Sequence, residues 1–456
     1  MTTGLMVNVS YVVAATCFIF GLKLLSHPST ARKGNLVSAV GMLIGVLVTL
    51  IDQQILSYEW IAAGIVLGTI PGIWLAKRVE MTAMPELVSV FNGFGGLASL
   101  LLGVSSLTQT NNEITAIISI LAYLAIIIGG ITFTGSIIAW AKLGEHMPTR
   151  AIVFPFQRWL YGILILAVLV LAGFAVASPG HMPYFYIAIG LALAFGILAT
   201  LPIGGADMPV VISLLNSYSG VAATLAGLAI NNNILIVAGL LVGASGLILT
   251  QIMCKAMNRS LMNILLSGFA KPSAKMAKIE GEIRSMSADD AFYVLEAAKS
   301  VVVIPGYGMA VAQAQHAVKE LQALLEDNDA TVAYAIHPVA GRMPGHMNVL
   351  LADADIPYEQ LYEMDAINPR MDSFDVAIII GANDVVNPAA KEVKDSPIYG
   401  MPIIEAHRAK NVFVMKRSAS AGFAGVDNPL FFKENTRMIY GDAKDTLNNI
   451  IREFGD

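Results

Sequence analysis

The chain has 456 residues, enough for two or more domains, and only 13% of them are charged while 56% are hydrophobic, against roughly 25% charged in an ordinary soluble domain. A net charge of −5 leaves no basic footprint and excludes a nucleic-acid partner. The two cysteines, Cys17 and Cys254, lie in or beside apolar runs, which excludes a disulfide or zinc framework by spacing.

The charge deficit is confined to the part before residue 254. A spanning helix needs about 20 mostly apolar residues, and about nine stretches qualify: 5–24, 35–51, 59–76, 85–106, 115–141, 159–177, 183–203, 208–230 and 234–254. The first lacks a basic leader and leads straight into more membrane, so no cleavable signal is expected. Basic residues follow the first stretch (Arg32, Lys33), the third (Lys77, Arg78), the fifth (Lys142, Arg150, Arg158) and the ninth (Lys255, Arg259), and the alternate connections carry none. Lys and Arg are retained on the cytoplasmic side of short loops. The expected orientation therefore has the N-terminus outside and the C-terminal region in the cytoplasm.

Gly93, Gly95, Gly96, Gly129, Gly130, Gly243 and Gly246 predict close helix packing. Polar groups at membrane depth are costly and tend to line a pathway. Candidates are Glu86 and Asn92 in the fourth stretch and Asn216 among Ser213, Ser217, Tyr218 and Ser219 in the eighth. Thr132, Thr134 and Ser136 are expected to bond their own helix carbonyls. Asp207, in a short loop on the cytoplasmic side, is either a helix cap or a functional carboxylate. Few groups inside the spans can titrate, so a proton relay needs water or another subunit.

A hydrophilic stretch of about 268–290 reads as a linker. Beyond it, short apolar strands are predicted at 300–304, 331–336, 374–380, 401–404, 411–415 and 437–440, alternating with helices. This pattern predicts a doubly wound parallel sheet of Rossmann-like α/β type. Gly306 and Gly308 sit at the first strand-to-helix turn, where the missing side chains let backbone approach a pyrophosphate; Val311 stands where the third glycine of the fingerprint falls. The bland alternative is a tight turn without a ligand. The second strand ends in His337-Pro-Val-Ala-Gly-Arg342, with an arginine and no acid, which favours a 2′-phosphate and hence NADP(H) over NAD. Lys416-Arg417-Ser418 and Gly381-Ala382-Asn383-Asp384 also lie at carboxyl ends of strands, where ligands bind in this fold, and Asn383 and Asp384 could instead cap a helix.

Several segments together carry a resemblance: Gly204-Gly-Ala-Asp-Met-Pro209, Leu215-Asn-Ser-Tyr-Ser-Gly220, Met253-Cys-Lys-Ala-Met-Asn-Arg-Ser260, Pro305-Gly-Tyr-Gly-Met-Ala-Val-Ala-Gln-Ala314, His337 to Arg342, Gly381 to Asp384 and Asn428-Pro-Leu-Phe-Phe-Lys-Glu-Asn435. Over essentially its whole length the chain resembles the beta subunit of the proton-translocating, Re/Si-specific NAD(P) transhydrogenase. The resemblance implies a transmembrane domain (1–260) in a bacterial inner membrane, a linker (261–290) and a cytoplasmic NADP(H)-binding domain (291–456). It also implies a partner alpha subunit that holds NAD(H), a dimer of the complex, and hydride passing from NADH to NADP⁺ as protons move inward.

By the same resemblance, Gly306, Tyr307, Gly308 and Val311 lie beside the pyrophosphate. Val339, Ala340, Gly341, Arg342, Met343 and Pro344 surround the cofactor with Gly381, Ala382, Asn383, Asp384 and Val385. Lys416, Arg417 and Ser418 would take the 2′-phosphate, because the family binds its nucleotide reversed relative to the usual fold logic that favours Arg342. Ala421, Gly422 and Phe423 would fold over the nucleotide, and Asp442 and Ala443 would close the site. Asp384 is the candidate for sensing proton state near the cofactor, and Asp207 and Asn216 match coupling positions in the membrane. Two departures stand out. Many relatives have a proton-carrying histidine where this chain has Asn92, which cannot titrate near neutral pH, and a tyrosine where it has Phe423.

Direct hydride transfer needs two nicotinamides roughly 3–3.5 Å apart. The sequence offers one strand–Gly-x-Gly–helix turn, so a second nucleotide must come from a partner. A rival reading is a transporter or channel gated by a cytoplasmic NADP(H)-sensing domain. It accounts for the spans and the glycine turn but not for a basic 2′-phosphate site.

Overall fold

The computed structural model describes residues 2–26, 28–52, 58–108, 114–149, 151–265, 281–343, 345–394, 396, 398–420, 422 and 424–455. These divide into two compact units. One comprises the residues up to Gln251 with Leu265, and the other comprises Ile252–Ile264 and those from 281 onward.

In the first unit, nine helices among the described residues are long and apolar enough to cross a membrane. They are α1 (Thr2–Leu25), α2 (Pro28–Asp52), α3 (Glu59–Arg78), α4 (Met84–Ser106), α5 (Ala116–Leu143), α6 (Gln157–Ala177), α7 (Met182–Thr200), α8 (Met208–Ala229) and α9 (Asn233–Ala256). Lipid offers no hydrophobic drive for one apolar helix to join another, so close packing and local hydrogen bonds must hold them. A Cβ on Gly96 of α4 would lie 2.8 Å from the Gly129 carbonyl of α5, and one on Gly220 of α8 would lie 2.3 Å from the Gly243 amide of α9. Ser119 Oγ and the Tyr123 hydroxyl donate from α5 to Ala175 O and Val168 O of α6, both at 2.6 Å. Thr134 Oγ1 reaches Leu193 O of α7 at 2.9 Å. Around these contacts Leu100, Ala122, Tyr123, Ile126, Phe185, Ala188 and Ala192 form a buried cluster. No residue of α3 is buried.

The second unit takes in the end of α9 from Ile252, then α10 (Leu261–Leu265, whose last residue clusters with the first unit) and α11 (Ala288–Ala297). Its sheet comprises β1 (Ser300–Pro305), β2 (Thr331–Ile336), β3 (Leu361–Glu363), β4 (Val376–Ile380), β5 (Asn411–Lys416) and β6 (Thr436–Tyr440). All pairings are parallel, in the order β3-β2-β1-β4-β5-β6. Helices α12 (Tyr307–Val311), α13 (Gln315–Asp327), α14 (His346–Asp353), α15 (Met364–Ile367), α16 (Ala389–Glu392) and α17 (Ala443–Gly455) connect and flank the strands. Val301–Ile304 and Val376–Ile380 are buried throughout, as a sheet covered on both faces requires. The strand order reverses between β1 and β4, and that reversal opens a crevice at the carboxyl ends of the strands.

Three local expectations differ from the structure. Residues 401–404 are not a strand. Pro402 has no N–H to give a ladder, and the carbonyls of Pro402 and Ile403 accept instead from His337 Nε2 and Asn368 Nδ2, both at 2.9 Å. The sixth strand is the short edge β3, which lies outside all the predicted strands. The helix after the glycine turn is broken: Gln313 adopts φ 49° and separates α12 from α13. Within the stretch expected to be linker, 266–280 lie outside the described residues. Arg284 and Met286 run along β6, with Met438 N–H to Arg284 O at 2.8 Å and Met286 N–H to Met438 O at 2.9 Å. Ser287 and Asp290 then form a reciprocal cap on α11.

Candidate functional site

The glycine turn meets the loop after β4 backbone to backbone. Gly306 N–H donates to Ile380 O (2.9 Å) and Gly308 N–H to Gly381 O (3.0 Å). A Cβ on Gly308 would lie 2.6 Å from Gly381 Cα, and one on Gly306 would lie 2.4 Å from Ala382 Cα. Gly381 has φ +64°, which an L side chain rarely adopts. The two loops therefore close the switch point by touching, and this contact spends two of the amides expected to face a phosphate. Ala382 and Val385 are buried beneath it, and Val311 ends α12 exposed.

The loop after β2 is built on two buried histidines. His337 Nδ1 accepts from Val339 N–H (3.3 Å), so the ring proton sits on Nε2 and is donated to Pro402 O. His346 Nδ1 accepts from Arg342 N–H (3.0 Å), which likewise puts the proton on Nε2. Burial, the larger cause, lowers both imidazoles to about 4; the Pro402 hydrogen bond opposes the shift at His337, and the Arg342 charge adds to it at His346. Ala340 is buried, Met343 O accepts from His346 N–H (3.2 Å), and Gly341 at φ +106° turns the chain where a Cβ would strike the His346 ring. The Arg342 guanidinium is left 4.4 Å above the Tyr307 ring, at the glycine turn.

Around β5 a second set of groups converges. Lys416 Nζ donates to Ser420 O (2.7 Å) and lies 5.0 Å from the Phe431 ring centroid. Burial pushes its ammonium below the ordinary lysine range, and the nearby Asp384 carboxylate pulls it back up. Asp384 Oδ2 accepts from Ala424 N–H (2.8 Å), and Asn428 Nδ2 holds Asn383 O (3.2 Å). A Cβ on Gly422 would lie 2.4 Å from Asp384 Oδ1, so glycine there lets the chain cross the carboxylate. Gly441 N–H reaches Lys416 O (3.1 Å), and Asp442 Oδ1 accepts from Lys444 N–H (3.0 Å) at the start of α17, where Ala443 is buried. Arg417 and Ser418 are exposed just past β5. Pro344, Ala421 and Phe423 lie outside the described residues.

Gly306 to Gly308, Gly381 to Val385, Lys416, Gly422 and, through Tyr307, Arg342 thus share one end of the sheet. His337, His346 and Asn428 organise it. No sequence pattern marks the histidines or Asn428 for these roles, because only the fold brings them to their loop-backbone partners.

In the first unit Asn92 joins three helices. Its Nδ2 donates to Ser136 Oγ of α5 (2.9 Å), its Oδ1 accepts from Ser219 Oγ of α8 (2.8 Å), and one turn earlier Ser89 Oγ donates to Ser136 O (2.8 Å). Thr132 bonds its own helix as expected, at Ile128 O (2.7 Å), but Ser136 faces Asn92. Ser213 and Ser217 are spent on carbonyls of α9, and Asn216 is half-buried on α8. Asp207 is buried at the N-cap position of α8, and its side chain makes no cap hydrogen bond there. Pro209 serves the first turn of α8 instead. Lys142, expected only as a loop charge, is buried; its Nζ donates to Leu201 O (2.5 Å) and Ile203 O (2.6 Å), ahead of the Asp207 turn.

Comparison with known proteins identifies the family. The sequence profile of the NAD(P) transhydrogenase beta subunit matches residues 7–453. Two curated sequences from Rhodospirillum rubrum, each named NAD(P) transhydrogenase subunit beta, are 46% identical over 454 residues, covering 97% of this chain and 98% of theirs. With a fold and a length-wide match that agree, this chain belongs to the NAD(P) transhydrogenase beta subunit family.

Proposed function

We propose that this subunit binds NADP(H) at the carboxyl ends of β1, β4 and β5 and works with an alpha subunit that holds NAD(H), in a dimeric complex. In this reading residues 1–260 span a bacterial inner membrane with the N-terminus outside, 261–290 connect, and 291–456 face the cytoplasm. Reduction of NADP⁺ is coupled to inward proton movement. The observation that carries the reading is the contact of Gly306 and Gly308 with Gly381 at the point where strand order reverses, because it clears side chains from the crevice in which this fold binds dinucleotides.

The residues present fit such a cofactor. Lys416, with Arg417 and Ser418 beside it, offers cationic and hydroxyl donors to a 2′-phosphate, and Arg342 offers a second cation near the glycine turn. When bound, NADP⁺ supplies a ring that accepts hydride, and no acid–base residue is needed for that transfer. The chain's own work is to orient the nucleotide and exclude water. Val339 to Met343 and Gly422 border the crevice, and Asp384 lies close enough to Lys416 to raise its proton affinity. Gly381 to Val385 line the crevice between them, and Asp442 and Ala443 close its far side.

In the membrane the reading assigns Asp207, Asn216 and Asn92 to coupling. One proton crossing 150–200 mV supplies roughly 3.5–4.6 kcal/mol, a push of a few-hundred- to two-thousand-fold toward NADPH.

Titration calorimetry of the purified chain tests the binding half. NADP⁺ and NADPH are expected to bind and NAD⁺ to bind far more weakly. Lys416→Ala should lose about 10- to 100-fold in NADP(H) affinity, the worth of a charge-assisted hydrogen bond. A wild-type chain that ignores both NADP⁺ and NADPH would overturn the assignment.

A further inference from the structure

The polar seam between α4 and α5 ends in two titratable side chains that approach one another across a glycine. Glu86, Ser89 and Asn92 follow at three-residue spacing and share one face of α4. Ser89 and Asn92 bond Ser136, and Asn92 is bonded by Ser219. None of these four side chains gains or loses a proton near neutral pH. Glu86 is the titratable side chain that continues this face of α4, while Lys142 and Asp207 at the same end are buried on α5 and before α8.

The end of α5 is shaped to meet that carboxylate. Gly144 caps the helix, and Glu145 turns the chain through φ 57°. Met147 N–H folds back onto Ala141 O at 3.0 Å. The turn lays the His146 ring on Trp140, with centroids 4.8 Å apart and planes at 28°. A Cβ on Gly144 would lie 2.5 Å from His146 Nδ1 and 2.7 Å from Glu86 Oε2. Imidazole and carboxylate thus flank Gly144 at a separation that one water can bridge. His146 is exposed and Glu86 half-buried, so the pair leads from solvent into the seam. Of the other charges at this end, Lys142 is directed at the Leu201 and Ile203 carbonyls, and Glu145 is exposed.

We propose that His146 and Glu86 are the proton-exchange pair at the mouth of the α4–α5 seam, with His146 carrying protons between bulk water and Glu86. On release, protonated Glu86 gives its proton through the bridging water to neutral His146, leaving a carboxylate and an imidazolium. The imidazolium then gives that proton to bulk water; uptake runs the same steps in reverse. The inference rests on the reading of this unit as proton-translocating.

The test uses the complex with its alpha subunit in sealed vesicles, with proton uptake followed by a pH-sensitive dye during hydride transfer. His146→Gly is expected to slow proton-coupled turnover by about tenfold or more, with NADP(H) affinity unchanged. Added imidazole should restore the rate, because the site is exposed. Glu86→Gln should abolish pumping with no rescue by imidazole. Gly144→Ala, which pushes the two groups apart while keeping both, should fall between. Wild-type rates in His146→Gly, or a lowered rate that imidazole cannot lift, would overturn the pair while leaving the proposed function standing. A wild-type complex that moves no protons would overturn both.

Discussion

Glycine brings backbones together in both units, under opposite solvent conditions. In the apolar unit, Gly96 meets Gly129 and Gly220 meets Gly243 where lipid supplies no drive for association, so close approach is itself the stabilising contact. In the sheet unit, strands buried on both faces already hold the core, and the contact of Gly308 with Gly381 shapes a crevice instead. The same steric device supports the fold in one place and the ligand site in the other.

That contrast can be broken by adding single methyl groups. Gly220→Ala would put a Cβ 2.3 Å from a backbone amide of α9. It should cost at least the 1–3 kcal/mol or so typical of overpacking and appear as loss of monodisperse protein in detergent. Gly64→Ala in α3, where nothing lies within 4 Å, should change nothing. If the two variants behave alike, glycine packing does not hold this bundle. Gly308→Ala should leave the protein monodisperse and weaken NADP(H) binding by about 100-fold, since the Gly381 backbone rather than a mobile side chain must give way. Unchanged nucleotide affinity would show that the contact does not set the crevice.

A smaller effect separates the units by pH. His337 is held neutral in the fold, lowered to about 4 by burial. Folding therefore gains stability from it fully above about 6.5, its unfolded value. That contribution is lost as pH falls from there through about 4. The melting transition of the sheet unit should drop over this window, and His337→Asn should flatten the drop. An equally steep acid loss in the variant would assign it to other groups.

The sequence made the large divisions legible because each rests on a strong local signal. Apolar length gave the spans, and unbroken runs such as Val301–Ile304 gave the central strands. What it misplaced depends on partners distant in the chain. Leu361–Glu363 is only three residues of edge strand, recognisable by its pairing with Tyr334–Ile336. Met401–Ile404 has a strand's composition, but its carbonyls belong to His337 and Asn368. The glycine turn was legible as a turn, while its fit against Gly381 was not, since no local pattern announces which backbone will lie 2.6 Å from an absent Cβ. Asp207 stands at the N-cap position of α8, and only the structure shows that its side chain makes no cap bond there.

The bareness of α3 has a consequence for how that span is selected. Trp60 near one end is 81% exposed, and at the other end the Arg78 guanidinium lies 4.9 Å over Trp74. Aromatic and basic side chains of this kind anchor at the two membrane–water boundaries. With none of its residues buried among the described residues, α3 is matched to bilayer thickness more than to a neighbour's shape. A thinner or thicker membrane would tilt this helix first, and one apolar residue there should replace another with little consequence.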